Sequence, residues 1–103
     1  MYIVNTTEEY DQILKDNKSV FVDFYADWCG PCKMVAPVLE SLAPEHANVK
    51  FIKVNVDTLP DVAQGYGIMS IPTMLAVKEG QVAASALGFR PASDLEPVIK
   101  ACE

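Results

Sequence analysis

The chain has 103 residues, of which 50% are hydrophobic, and a formal net charge of −6 from 8 basic and 14 acidic side chains. This length predicts one domain, residues 1–103, with enough buried apolar surface to fold without a disulfide or a metal. The acidic balance argues against binding to nucleic acid or to an anionic membrane, because both require clustered positive charge. The sequence also lacks the run of about 20 apolar residues that spans a bilayer.

The cysteines indicate the cellular compartment. There are three, an odd number, and two of them, Cys29 and Cys32, are separated by only two residues. A secreted disulfide scaffold of this size usually carries a larger, even set. The first residues also lack the basic and apolar pattern of a secretory signal. We therefore expect a cytoplasmic protein whose close cysteine pair serves chemistry.

Hydrophobic periodicity and capping signals predict four helices. In chain order they cover 6–14, 29 to 42 or 43, 60–66, and a last segment capped by Ser93. The first begins at a capping box, in which a threonine side chain and a glutamate three residues later satisfy free backbone N–H groups. Pro37 should kink the second helix, because its ring clashes with the preceding turn. Pro97 is expected to delay the regular start of the last helix.

Five strands are predicted between these helices. Their ranges are 2–4, 20–25, 51–56, 73–78 and 82–87. Residues 20–25 are almost wholly apolar, as in a strand covered on both faces, with Asp23 as the exception. Glu79 and Gly80 join the last two strands as a hairpin, whereas the earlier strands alternate with helices and require parallel crossovers. The order predicts an α/β fold with a mixed five-stranded sheet and four helices on both its faces.

The residues that carry chemistry lie at 28–32, Trp-Cys-Gly-Pro-Cys, where an apolar strand gives way to a helix. Two cysteines three positions apart in a first helical turn fall within the roughly 4.4–6.8 Å Cα separation of a disulfide. The positive end of the helix dipole favours a thiolate there, and Pro31 suits a helix start. The pattern predicts disulfide exchange in which Cys29 attacks, forms a mixed disulfide, and is released by Cys32.

Two other interpretations of the cysteine pair carry less weight. A zinc site needs about four ligands, and only His46 and Cys102 could complete a thiolate-rich one. We expect instead that His46, which follows a helix end, is solvated, and that Cys102 packs as a small hydrophobe or is exposed. An inert structural disulfide is the second alternative, but so small a loop constrains the unfolded chain little.

The stretch from Val22 to Lys33 resembles the active-site segment of the thioredoxin family. The likeness continues in family order at 36–37, 53–57, 66–68, 71–73, 79–80 and 88. The resemblance implies the thioredoxin fold and a general protein-disulfide reductase without a bound cofactor. It also implies thioredoxin reductase as a partner, a flavoprotein that supplies electrons from NADPH, and oxidised proteins as clients. We expect a monomer that binds neither nucleic acid nor membrane.

Asp23 and Lys53 gain roles from this resemblance. A carboxylate in an apolar strand is costly to ionise, so burial should raise the pKa of Asp23. The resemblance implies that Asp23 lies beneath the cysteines and accepts the proton of Cys32, and that Lys53 modulates its charge. Without the resemblance, a carboxylate satisfied by local hydrogen bonds is an equal alternative.

The resemblance further implies a flat apolar surface around Cys29 that docks clients, the docking surface. Its members are Trp28, Gly30, Pro31, Ile71, Pro72, Gly88 and Phe89. Pro72 matches a cis proline of the family, which would leave Ser70 and Ile71 free to pair with an extended client segment. Met69, near this surface, stands where relatives often have a basic or polar residue and makes the face more apolar. For Trp28 alone, core packing is the alternative.

The same fold could also serve a different class of function, as a non-catalytic binding module that docks through its apolar face. Such a role would not depend on Cys29 or Cys32, whereas disulfide reduction depends on both.

Overall fold

A computed structural model of residues 1–103 contains one mixed sheet in the order β1-β3-β2-β4-β5. The strands are β1 (Tyr2–Ile3), β2 (Ser19–Tyr25), β3 (Lys50–Asn55), β4 (Thr73–Lys78) and β5 (Gln81–Leu87). β3 pairs in parallel with β1 and β2, whereas β4 is antiparallel to β2 and β5. This sheet confirms the predicted mixed architecture, and the strand bounds agree with the predicted ones to within a residue.

Helices cover both faces of the sheet, as predicted. They are α1 (Thr7–Asp16), α2 (Gly30–Leu42), α3 (Pro60–Gly65) and α4 (Ala92–Lys100), with a 3₁₀ turn, Ala43–Glu45, after α2. None of the four helices combines the length and apolar character needed to cross a membrane.

The alternation of side chains along β2 divides the core between the two faces. Val22 and Phe24 pack in one cluster with Tyr10 of α1 and Val62 of α3. Phe21 points the other way, into a cluster with residues of α2 and α4, among them Leu39. Because successive side chains in a strand point to opposite faces, Asp23 lies on the same face as Phe21, under α2.

The start of α1 confirms its predicted cap. The Thr6 hydroxyl oxygen accepts a hydrogen bond from the Glu9 N–H at 3.0 Å, and the Glu9 carboxylate accepts one from the Asn5 N–H at 2.7 Å. A cap of this kind stabilises a helix by about 1 kcal/mol.

The predicted start of the last helix is wrong. The helix begins at Ala92 after Pro91, without a side-chain cap at Ser93, and Pro97 lies inside it. Leu95 and Ile99 are completely buried against the sheet. Burial of two such side chains contributes about 3–6 kcal/mol, which outweighs the backbone hydrogen bond that Pro97 cannot make.

Candidate active site at the start of helix α2

Cys29 and Cys32 form a disulfide across the first turn of α2, with a Cα–Cα distance of 5.3 Å. Cys29 is the N-cap residue, and its sulfur accepts the Cys32 N–H at 3.2 Å. The helix therefore provides a hydrogen-bond donor and its positive dipole end at the sulfur of Cys29. Once the disulfide is reduced, both favour a thiolate over a thiol at this position.

The disulfide is shielded from solvent. Cys29 and Cys32 are each 4% exposed and pack with Ala26, while Ile71 and Val56 lie against this small cluster. The Cys29 sulfur is 3.8 Å from the backbone oxygen of Ile71. The start of α2 and the loop before β4 therefore meet at the Cys29 sulfur.

Asp23 is 1% exposed, and neither of its carboxylate oxygens has a hydrogen-bond partner. Burial raises the pKa of Asp23 to about 6, although the Lys53 ammonium acts in the opposite direction. The alternative that local hydrogen bonds satisfy this carboxylate is therefore wrong. A buried group that is left without a partner is costly, and such groups concentrate at functional sites.

Lys53 lies opposite Asp23 in the pairing of β2 with β3. Its ammonium sits 4.3 Å from the centre of the Tyr25 ring, an arrangement that attracts a cation to an aromatic face. A groove of about 120 Å³ is lined by Tyr25, Cys32 and Lys53 together with four neighbouring residues. This groove gives small molecules such as water a route to the side of Cys32.

Trp28 is 71% exposed, so the core-packing alternative for this residue is wrong. Its indole N–H donates to the Asp57 carboxylate at 2.9 Å. The Asp57 backbone N–H in turn donates to the Asn55 side-chain oxygen at 2.8 Å. The loop after β3 thus holds the indole in place. Asp57 was not among the predicted site residues, because its contact with Trp28 spans 29 positions of the sequence.

The loop before β4 forms the other side of the predicted docking surface. The Ile71–Pro72 peptide bond is cis, and Gly88 has a φ of 73°, a conformation that favours glycine. The Gly88 N–H donates to the Pro72 oxygen at 2.8 Å, whereas the Ile71 N–H makes no hydrogen bond within the chain. Phe89 is 41% exposed beside them. Among the remaining predicted members of this surface, Gly30 and Pro31 are exposed in the first turn of α2.

His46 differs from its prediction as a solvated residue. It is 5% exposed and lies between two carboxylates: its Nδ1 is 2.8 Å from Glu103 and its Nε2 is 3.0 Å from Glu96. The hydrogen bond and charge of Glu103, helped by Glu96, raise the pKa of His46 above its ordinary value despite burial. The reason for the error is that both partners lie at the other end of the chain.

Cys102 is completely buried and donates to the Ile99 oxygen at 3.3 Å, so of its two predicted environments it takes the buried one. No group of three or more His, Cys, Asp or Glu side chains lies close enough to hold a metal ion. Cys29 and Cys32 consequently lack the further ligands that a zinc site requires.

Comparisons with known proteins agree with this geometry. The family model described as thioredoxin matches residues 1–101. The chain is 42% identical to thioredoxin of Bacillus subtilis over 100 residues, which cover 96% of each chain. The solved structure of Plasmodium falciparum thioredoxin matches with a TM-score of 0.91 at 38% identity, over 97% of each chain. That of Fasciola hepatica thioredoxin matches with a TM-score of 0.92 at 32% identity, over the full length of both.

Proposed function

The chain belongs to the thioredoxin family, and from this premise we propose that it reduces disulfides of oxidised client proteins through Cys29 and Cys32. Thioredoxins are thiol–disulfide oxidoreductases, and dithiol–disulfide exchange is the activity of this protein. Its redox-active group is the cysteine pair itself. The observation that carries the proposal is the Cys32 N–H donated to the Cys29 sulfur at the start of α2.

The exchange proceeds in two displacements. The Cys29 thiolate attacks one sulfur of the client disulfide, a mixed disulfide forms, and the other client sulfur leaves as a thiolate. Cys32 then attacks the Cys29 sulfur, which closes the Cys29–Cys32 disulfide and releases the second client thiol. The Cα separation of 5.3 Å suits this closure, since it lies within the ordinary range for a disulfide.

Asp23 accepts the proton of Cys32 in the second displacement. Cys32 must lose its proton before it attacks, and a carboxylate with a pKa of about 6 is mostly ionised at neutral pH yet basic enough to accept a proton. The absence of any partner for the Asp23 oxygens supports this role. A water molecule between Cys32 and Asp23 would carry the proton, and the Lys53 ammonium would favour the ionised carboxylate.

Clients dock on the surface formed by Trp28, Gly30, Pro31, Ile71, Pro72, Gly88 and Phe89. The N–H of Ile71 is unpaired, and the backbone oxygen of the same residue lies 3.8 Å from the Cys29 sulfur. Both observations support a client segment that adds to this loop as an extended strand. An apolar groove of about 150 Å³, which runs from Trp28 to Ile71, supports the binding of an apolar client side chain next to the disulfide.

The wider setting of the protein follows from its family. We propose that a flavoprotein thioredoxin reductase returns the cysteine pair to the dithiol with electrons from NADPH. We also propose that residues 1–103 act as one domain and as a monomer in the cytoplasm. The continuous five-stranded sheet supports the assignment of one domain.

The proposal is tested by the reduction of insulin disulfides with dithiothreitol as the electron source. Cys29→Ser and Cys32→Ser are each expected to lower the rate by at least about a hundredfold, because each removes a sulfur that the exchange requires. Only Cys32→Ser should accumulate a mixed disulfide with insulin. Cys102→Ser, which changes the cysteine outside the pair, is the matched control and should keep the wild-type rate. Equal rates for all variants would show that the protein is a non-catalytic binding module.

A further inference from the structure

Met69 is an exposed apolar side chain beside the docking surface. It is 97% exposed in the loop between α3 and β4, two residues before Ile71. It lines the groove of about 150 Å³ on the Trp28 side of this loop. It also lines a second groove of about 300 Å³ on the other side, which reaches Leu87 of β5. A client segment in either groove would therefore meet the Met69 thioether.

The other methionines are less accessible. Met74 is completely buried in the core, and Met34 on the outer face of α2 is 59% exposed. Met1 is half-buried. Oxidation of a methionine by peroxide follows its accessibility, because the oxygen must approach the sulfur directly. The chain therefore presents one methionine that combines almost full exposure with a position at the client grooves.

We propose that Met69 is a site of reversible oxidation by peroxides, and that its sulfoxide weakens the docking of clients. The inference rests on the proposed function of the docking surface. The thioether sulfur attacks the terminal oxygen of a hydroperoxide, so that an S–O bond forms while the O–O bond breaks. The sulfur loses two electrons, the peroxide is reduced to water or an alcohol, and the hydroxyl proton passes to the leaving oxygen.

The consequence for docking comes from the change in polarity. A thioether is flexible and apolar and adapts to varied apolar partners. The sulfoxide carries a strong hydrogen-bond acceptor, which a client would have to bury against Trp28 and Ile71. Because the removal of this acceptor from water against apolar side chains costs free energy, the sulfoxide should weaken binding while the cysteine chemistry stays intact.

The selectivity is tested on the disulfide form of the protein, in which Cys29 and Cys32 cannot react as thiols and Cys102 is buried. Hydrogen peroxide is titrated and the products are mapped by peptide mass spectrometry. Met69 should be oxidised first, Met34 more slowly, and Met74 last. Oxidation of Met34 at the same rate as Met69, or faster, would overturn the proposal.

The effect on docking is tested after the peroxide is removed with catalase. The KM for insulin, with dithiothreitol as reductant, should rise about three- to tenfold at unchanged kcat. Methionine sulfoxide reductases for both epimers should restore it. Met69→Leu should show the same KM before and after peroxide, whereas Met34→Leu should respond like the wild type. Met69→Gln, which mimics the polarity of the sulfoxide, should raise KM without peroxide.

Two outcomes separate this inference from the proposed function. An unchanged KM after complete oxidation of Met69 overturns the inference alone, provided that untreated protein reduces insulin through Cys29. Untreated protein without cysteine-dependent activity overturns the proposed function, and the role of Met69 in docking falls with it.

Discussion

Asp23 and His46 are both almost fully buried, yet their surroundings are opposite. Neither carboxylate oxygen of Asp23 has a hydrogen-bond partner, whereas both ring nitrogens of His46 lie within 3.0 Å of a carboxylate. The Asp23 region adjoins the start of α2, where the disulfide lies. The His46 region adjoins the end of α2 and joins it to α4 and to Glu103. An ionisable side chain without a partner, Asp23, thus lies near the start of α2, and a fully paired one, His46, lies near its end.

The contrast separates two uses of a buried charge. His46 fixes the packing of distant segments, and the Lys78 ammonium adds a bond of 2.6 Å to the backbone oxygen of Glu103. Such a network stabilises because each of its members has a partner. Asp23 contributes no bond that would offset its desolvation, so its presence lowers stability at neutral pH. This destabilising arrangement is what we expect of a group with the proposed role in proton transfer.

The largest effect is expected from Asp23→Leu. The pKa of Asp23 rises from an ordinary value near 4 to about 6 on folding. This shift lowers the free energy of unfolding by about 3 kcal/mol when Asp23 is ionised. A raised pKa in the folded state means that wild-type stability falls as pH rises from 4 through 6. Asp23→Leu should therefore raise the free energy of unfolding by about 3 kcal/mol more at pH 8 than at pH 3.5. Urea denaturation of the disulfide form at the two pH values measures this difference.

The matched variant is Asp23→Asn, which keeps the shape of the side chain but cannot ionise. It should show the same pH dependence as Asp23→Leu with a smaller overall gain, because the buried amide also lacks a partner. A stability increment that is identical at both pH values would contradict the raised pKa of Asp23.

His46→Phe should have the opposite sign. It removes two charge-assisted hydrogen bonds and should lower the free energy of unfolding by about 2 kcal/mol at pH 6. The pKa of His46 is raised in the folded state, so this contribution is complete below the ordinary histidine value near 6.5 and is lost as pH rises through the folded value. The loss of stability caused by His46→Phe should consequently be smaller at pH 9 than at pH 6, as measured by thermal or urea unfolding.

Two further variants examine the partners of His46. Glu96→Gln and Glu103→Gln each remove one negative charge while keeping an oxygen acceptor near the ring. Each should reduce the pH dependence of stability, and the change at Glu103 should matter more, since its hydrogen bond is the larger cause of the raised His46 pKa. A penalty for His46→Phe that grows with pH would contradict the doubly paired imidazolium.

The active-site end of the molecule was predictable because its signals are local. Cys29 and Cys32 fall within one helical turn, and Asp23 is conspicuous as the one charge in an apolar strand. The roles of Cys29 and Cys32 were predicted from their spacing and position, whereas the role of Asp23 and the docking surface were predicted from the family resemblance. The contact between Trp28 and Asp57 was missed, since nothing in the sequence near Trp28 indicates which loop will approach its indole.

The surroundings of His46, at the other end of α2, could not be predicted because no local signal indicates them. The partners of His46 are 50 and 57 positions away, so only the tertiary fold brings them together. The start of α4 was predicted wrongly for a different reason. Ser93 and Pro97 are sound local signals, but the burial of Leu95 and Ile99 outweighs them. Local rules therefore hold where a motif is self-contained and fail where distant contacts dominate the energy.

The smallest expected effect is the coupling between the two regions. Val49, whose N–H donates to the His46 oxygen, is four positions before Lys53, the residue opposite Asp23. Four residues of strand span about 13 Å. The double variant Asp23→Leu/His46→Phe should therefore change the free energy of unfolding by the sum of the single changes within about 0.5 kcal/mol. A larger deviation in urea denaturation at pH 6 would show that α2 transmits strain between its ends. The disulfide site and the buried histidine would then be one cooperative unit, and the separation of chemistry from stabilisation along this helix would not hold.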